Sequence, residues 1–118
     1  MLVIRSEQMQ AFSEQMLKRF EDRMAGYLAE RFPDACAAKD EPAVRESIQK
    51  GIERSRSYGV TTEYDIARYI ELMYLFSEDF DTSIKTPWAR PILENPDLGS
   101  YVKMNELWER AAQDTHAS

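Results

Sequence analysis

From Met9 to Phe32 an apolar residue returns every three or four positions: Met9, Phe12, Met16, Phe20, Met24, Tyr27, Leu28 and Phe32. A strand alternates with a period of two, so this spacing selects a long helix with one continuous apolar stripe that something must cover. Ser6 is placed to cap that helix, with Glu7 in its first turn at the positive end of the helix dipole. Pro33 ends it, and Pro33–Ala38 is spaced for one helical turn leading to Asp40. The stripe can line an intramolecular bundle or a dimer seam equally well, so a homo-oligomer stays open.

Asp40 is placed to cap a second long helix, with Glu41 and Pro42 in its permissive first turn. Val44, Ile48, Ile52 and Ser55 fall on one face, with Tyr58 close by. Gly59 stands where a left-handed residue closes a helix, and Val60 supplies the apolar contact that follows. Thr61 or Thr62 caps the next helix, and Thr62 with Asp65 has capping-box spacing. That helix holds Ile66, Tyr69, Ile70, Leu72, Met73, Tyr74, Leu75 and Phe76. More than one of its faces is apolar, so it is the candidate central helix. After Ser77–Ser83 breaks the pattern, Thr86 and Pro87 are placed to open a short helix carrying Trp88, Ile92 and Leu93. Asn95-Pro96-Asp97 is a turn. The last helix is predicted from Leu98 or Ser100 to Ala112, with 113–118 a flexible tail. With no sustained alternation anywhere, the predicted fold class is all-α: one domain, residues 1–118, a compact bundle of about four main helices plus one or two short pieces.

Composition then removes most chemistry. The chain has one cysteine, Cys36, and one histidine, His116, among 118 residues. An intramolecular disulfide is excluded, as is a zinc site built from several Cys and His ligands of this chain. A Ser-His-Asp or Cys-His pair would have to recruit His116 from the end of the chain. Cys36 reads as a small core residue of a reducing compartment, since no histidine or second cysteine lies near it in sequence. At 43% hydrophobic and 31% charged, the chain can bury enough surface to fold without a metal or disulfide. The expectation is a protein that is not an enzyme and needs no cofactor or metal.

The net charge of −6 is unevenly placed. Residues 1–59 hold ten basic and ten acidic side chains, whereas residues 60–118 hold five basic and eleven acidic ones. An acidic half repels phosphate, which disfavours nucleic acid and anionic membrane and suits a basic protein partner. No stretch approaches the roughly 18 apolar residues of a membrane span. The start, Met1-Leu2-Val3-Ile4-Arg5, lacks a signal-peptide apolar core, so a cytoplasmic protein is expected.

Three motifs compete with plainer readings. Ser55–Thr62 followed by a helix resembles a helix-turn-helix corner, but the helix opens with Glu63, Tyr64 and Asp65, whose carboxylates would face phosphates. Asp79-Phe80-Asp81-Thr82-Ser83 imitates the start of a calcium loop, yet Ile84 stands where glycine is needed and Arg90 where a bidentate glutamate is needed. Glu63, Asp65, Glu71 and Glu78 surround one helix, but Arg68 sits three residues from both Asp65 and Glu71, and local ion pairs account for them. The aromatic content is more suggestive. Tyr69, Tyr74, Phe76, Phe80, Trp88, Tyr101 and Trp108 all lie in the acidic half. Aromatic side chains ringed by one sign of charge make a protein-binding patch. Asp79, Phe80, Asp81 and Trp88 are the candidate partner-binding residues.

The stretch Arg56-Ser57-Tyr58-Gly59-Val60-Thr61-Thr62-Glu63-Tyr64-Asp65-Ile66-Ala67-Arg68-Tyr69-Ile70-Glu71-Leu72-Met73, with Asp79-Phe80-Asp81, Pro87-Trp88-Ala89 and Ile92-Leu93, resembles small uncharacterised helical proteins encoded in bacterial type VI secretion spike and effector loci. The resemblance spans about residues 1–112 and carries no catalytic residues. It implies a cytoplasmic accessory protein that binds a secretion effector or spike component as a chaperone or loading adaptor. The alternatives are an immunity protein that blocks a cognate toxin and, in a different class, a helix-turn-helix DNA-binding regulator.

Overall fold

The computed structural model describes residues 14–117, so Ser6, Glu7, Met9 and Phe12, and with them the expected start of the first helix, lie outside the described residues. All regular structure among the described residues is helical, and the fold class is all-α. The chain divides into two compact units, residues 1–49 and 50–118.

The first unit contains α1 (Glu14–Arg31), α2 (Pro33–Ala38) and the first part of α3 (Glu41–Ser57). α1 buries Phe20, Met24 and Leu28, one residue per turn. The stripe is narrower than its spacing predicts: Met16 and Tyr27 remain about two-fifths exposed, at 40% and 43%. The Phe32 amide still donates to Leu28 O at 2.7 Å, and Pro33 then stands at the start of α2, where its missing N–H costs no hydrogen bond. α2 packs on α1. As expected, Asp40 caps α3, its Oδ1 accepting from the Ala43 amide at 2.9 Å. Val44 and Ile48 are buried. Beside them the Arg45 guanidinium ties α3 to α1, reaching Glu21 at 3.0 Å and Asp22 at 2.6 Å, with Glu41 at 3.3 Å in the same helix. Hydrogen bonding to Arg45 holds the Asp22 carboxyl below its usual range.

The second unit takes the rest of α3 with α4 (Glu63–Leu75), α5 (Ala89–Leu93) and α6 (Ser100–Ala117). α3 ends as its sequence predicts. Gly59 is left-handed (φ +85°), its amide donates to Arg56 O at 3.0 Å, and the Val60 amide reaches Ser55 O at 2.9 Å. This is the paired bonding of a Schellman close, with Val60 fully buried as its apolar contact. Thr62 caps α4, its Oγ1 accepting from the Asp65 amide at 3.2 Å. Ile66, Tyr69, Ile70, Leu72 and Met73 of α4 are buried. α3 can approach α4 because residue 51 is glycine: a Cβ there would lie 2.5 Å from Ile70 Cγ1. α4 and α5 both pack on α6.

Two expectations need correction. Thr86 does not cap α5. Its hydroxyl turns inward and donates to Phe80 O at 2.6 Å, and α5 opens from Trp88 without a side-chain cap. Satisfying the buried Phe80 carbonyl outweighs capping the helix start. The last helix also runs past Ala112 to Ala117, because backbone hydrogen bonding continues where the apolar pattern stops.

Candidate functional site

The four residues proposed from sequence as a partner surface are not exposed together. Phe80 is fully buried, its ring 5.0 Å from that of Tyr69. Trp88 is buried edge-on against Phe76 at 5.6 Å. Asp81 is buried, and only Asp79 offers its side chain to solvent, at 63% exposure. The large rings close the 77–88 segment down rather than present it outward, since fully covering them gains more than leaving them wet.

The two aspartates of the calcium-like motif both face Arg54, whose Nη1 lies 2.8 Å from Asp79 Oδ1 and 3.1 Å from Asp81 Oδ1. The same nitrogen donates to Glu78 O at 3.2 Å, and Lys50 pairs with Glu78 at 3.3 Å. Tyr58 donates its hydroxyl to Asp81 Oδ2 at 2.7 Å. Burial and the adjacent Asp81 carboxylate push the Tyr58 phenol up to about 12, and the same two causes raise Tyr69, whose buried hydroxyl has no partner among the described residues. Both phenols therefore stay protonated near neutrality, as donors rather than bases. The cluster pins the segment after α4 onto α3. Among the described residues no group of three or more His, Cys, Asp or Glu side chains converges as a metal site would.

Cys36 is half-buried and lines an open groove with Gly26, Ala29 and Val44. Burial pushes its thiol up and so lowers its thiolate fraction, against the opposing effect of Lys39.

A different set of side chains faces outward. Tyr64 on α4 and Tyr101 on α6 are the most exposed aromatic residues of the described chain, at 64% and 60%. Between them lies Arg68, its guanidinium carbon 5.2 Å from the Tyr64 ring centre and 5.9 Å from that of Tyr101. Both distances are within cation–π range. Beneath them Ser100 locks the starts of the two helices together, donating to Asp65 Oδ2 at 2.8 Å while its Oγ accepts from the Thr61 amide at 3.3 Å. The ion pair expected between Arg68 and Asp65 is long, at 3.7 Å, and neither Arg68 Nη1 nor Asp65 Oδ1 has a hydrogen-bond partner among the described residues. Helical spacing of four from Tyr64 to Arg68 was the available sequence signal for this patch. Tyr101 arrives from a distant helix, which periodicity does not register.

Asp65 is buried and bonded to Ser100, and Arg68 is the sole cation of α4, so the first turns of this helix carry no cluster of basic side chains for phosphate. Among the described residues, no helix is long and apolar enough to cross a membrane. No protein-family model matches the chain, and no curated protein or solved structure shows significant similarity to it.

Proposed function

We propose that this chain is a non-enzymatic protein-binding module, and that the Tyr64–Arg68–Tyr101 patch is its contact surface. The observation that carries the reading is the exposure of two tyrosines on either side of one arginine. Tyrosine and arginine dominate the binding energy of protein interfaces, because both give large contact area together with directed hydrogen bonds. Leaving two phenol rings in water forgoes burial that the fold gives to Tyr69 and Phe80, which suits a surface completed by a partner. Ser100, Thr61 and Asp65 hold the two helix starts in register beneath it, so the rings are presented on helices rather than on loops. The resemblance to secretion-locus proteins supplies the biological setting: an effector chaperone or loading adaptor acting in the cytoplasm.

Affinity purification from a host carrying such a locus tests the reading. A secretion effector or spike component should co-purify with the wild-type chain and be lost from Tyr64→Ala/Tyr101→Ala, a variant that should retain its helical circular dichroism. Capture and inhibition of the toxic domain itself would make the chain an immunity protein. Retention of the same partner by the double variant would move the surface elsewhere.

A further inference from the structure

We infer that the Tyr64–Arg68–Tyr101 patch receives a carboxylate side chain, Asp or Glu, from a basic segment of its protein partner. The inference rests on the patch being the contact surface and adds the chemistry that it reads.

Arg68 is the part of the patch whose interactions are incomplete. A guanidinium carries five N–H donors in a planar fork. The arginines placed in polar clusters above, Arg45 and Arg54, spend their donors on carboxylates at 2.6–3.4 Å, and Arg54 also on the Glu78 carbonyl at 3.2 Å. Arg68 makes no hydrogen bond among the described residues; its nearest carboxylate oxygen, Asp65 Oδ1, stands at 3.7 Å. The other oxygen of Asp65 is held by Ser100 at 2.8 Å. The guanidinium is thus oriented by two rings and kept from full solvation at 16% side-chain exposure, with Nη1 buried and Nε and Nη2 the two donors that a carboxylate can take side-on.

The wider field sets the flanks of the ligand. Residues 60–118 carry eleven acidic and five basic side chains, which repel a segment that is acidic throughout. One carboxylate among Lys and Arg residues satisfies both demands: the basic flanks are drawn by the protein's net charge, and the single acid pairs with Arg68 at short range. The flanking tyrosines would cover the pair from water, which strengthens it.

A phage-displayed library of random linear peptides, selected on the full chain, is the probe. Selected peptides are resynthesised with amidated C-termini, each beside a version whose acidic residue is replaced by its amide. Peptides sharing one Asp or Glu between basic residues are the expected result, with the amide version weaker by on the order of tenfold. On Arg68→Gln the acid and amide versions should bind alike, while Arg68→Lys should restore part of the preference. Thermal melts of each variant separate loss of binding from loss of fold, and the acid-against-amide comparison on the wild-type chain decides the matter even if Arg68→Gln melts early. Peptides that are weakened by Tyr64→Ala or Tyr101→Ala but bind equally as acid and amide would overturn the carboxylate inference and leave the contact surface standing. Peptides requiring a free C-terminus would overturn the side-chain source. Peptides indifferent to all patch variants, or no enrichment over the Arg68→Gln chain, would overturn both.

Discussion

Lys103 Nζ donates to the carbonyl oxygen of Tyr58 at 2.7 Å, so a buried ammonium from α6 closes the C-terminal end of α3. The carbonyls at that end carry the negative pole of the helix dipole, and Tyr58 through its hydroxyl also holds Asp81. One residue thereby joins the end of α3 to both α6 and the segment after α4.

The alkaline stability profile should report this junction. Tyr58 has a phenol raised to about 12 from 10.0, so the folded state keeps its proton longer than the unfolded state. Its contribution is full below pH 10 and is lost as pH rises through about 12. Burial lowers Lys103 below its usual 10.5, so its sign is opposite: stability is gained as pH rises towards 10.5 and lost as pH falls through the lowered value. Urea unfolding of Tyr58→Phe should show a loss of about 1.5–3 kcal/mol at pH 7, from one hydrogen bond to a charged acceptor. That deficit should shrink above pH 10. A deficit independent of pH would refute the coupling.

Asp79 and Asp81 bind the same arginine nitrogen but should respond very differently to substitution. Asp79 is mostly in water, so Asp79→Lys should change stability by no more than about 1 kcal/mol. Asp81 is buried between Arg54 and Tyr58, and Asp81→Lys would place two cations together in its site. A loss of about 3–5 kcal/mol is expected, enough to unfold a small domain. Equal melting temperatures for the two variants would contradict the burial of Asp81.

Three glycine-to-alanine changes should give three different outcomes by chemical denaturation. Gly26→Ala, in α1 with open space around it, should stabilise by about 0.5–1 kcal/mol through helix propensity. Gly59→Ala finds room but must adopt φ +85°, a cost of about 1–2 kcal/mol. Gly51→Ala would drive a Cβ to 2.5 Å from Ile70 Cγ1 and 2.9 Å from Met73 Sδ, and overpacking of about 1–3 kcal/mol should exceed its helix gain.

Thr86→Val keeps the shape of the side chain and removes the donor to Phe80 O. With that carbonyl left unpaired, a loss of about 1–3 kcal/mol is expected. Thr86→Ser, which restores the hydroxyl, should recover most of it. If Thr86 acted as a helix cap instead, the loss would be recovered equally well by Asp.

The elements of this protein were legible in its sequence wherever they depend on local bonding. Asp40, Thr62 and Gly59 each satisfy a helix end from within a few residues, so their types and spacing announced caps that the structure contains. The apolar faces of α3 and α4 were legible because helical period is a property of the chain alone. Tertiary structure decided which of those apolar and charged residues meet. Phe80, Asp81 and Trp88 look like surface candidates in a loop, but the packing of Tyr69 and Phe76 and the reach of Arg54 draw them inward. Arg68 looks like an ordinary helix ion pair, yet Ser100 from α6 takes one oxygen of Asp65 and leaves the guanidinium between Tyr64 and Tyr101. Sequence determines which groups need partners; the distances over which distant helices supply or withhold those partners are set only when the helices pack.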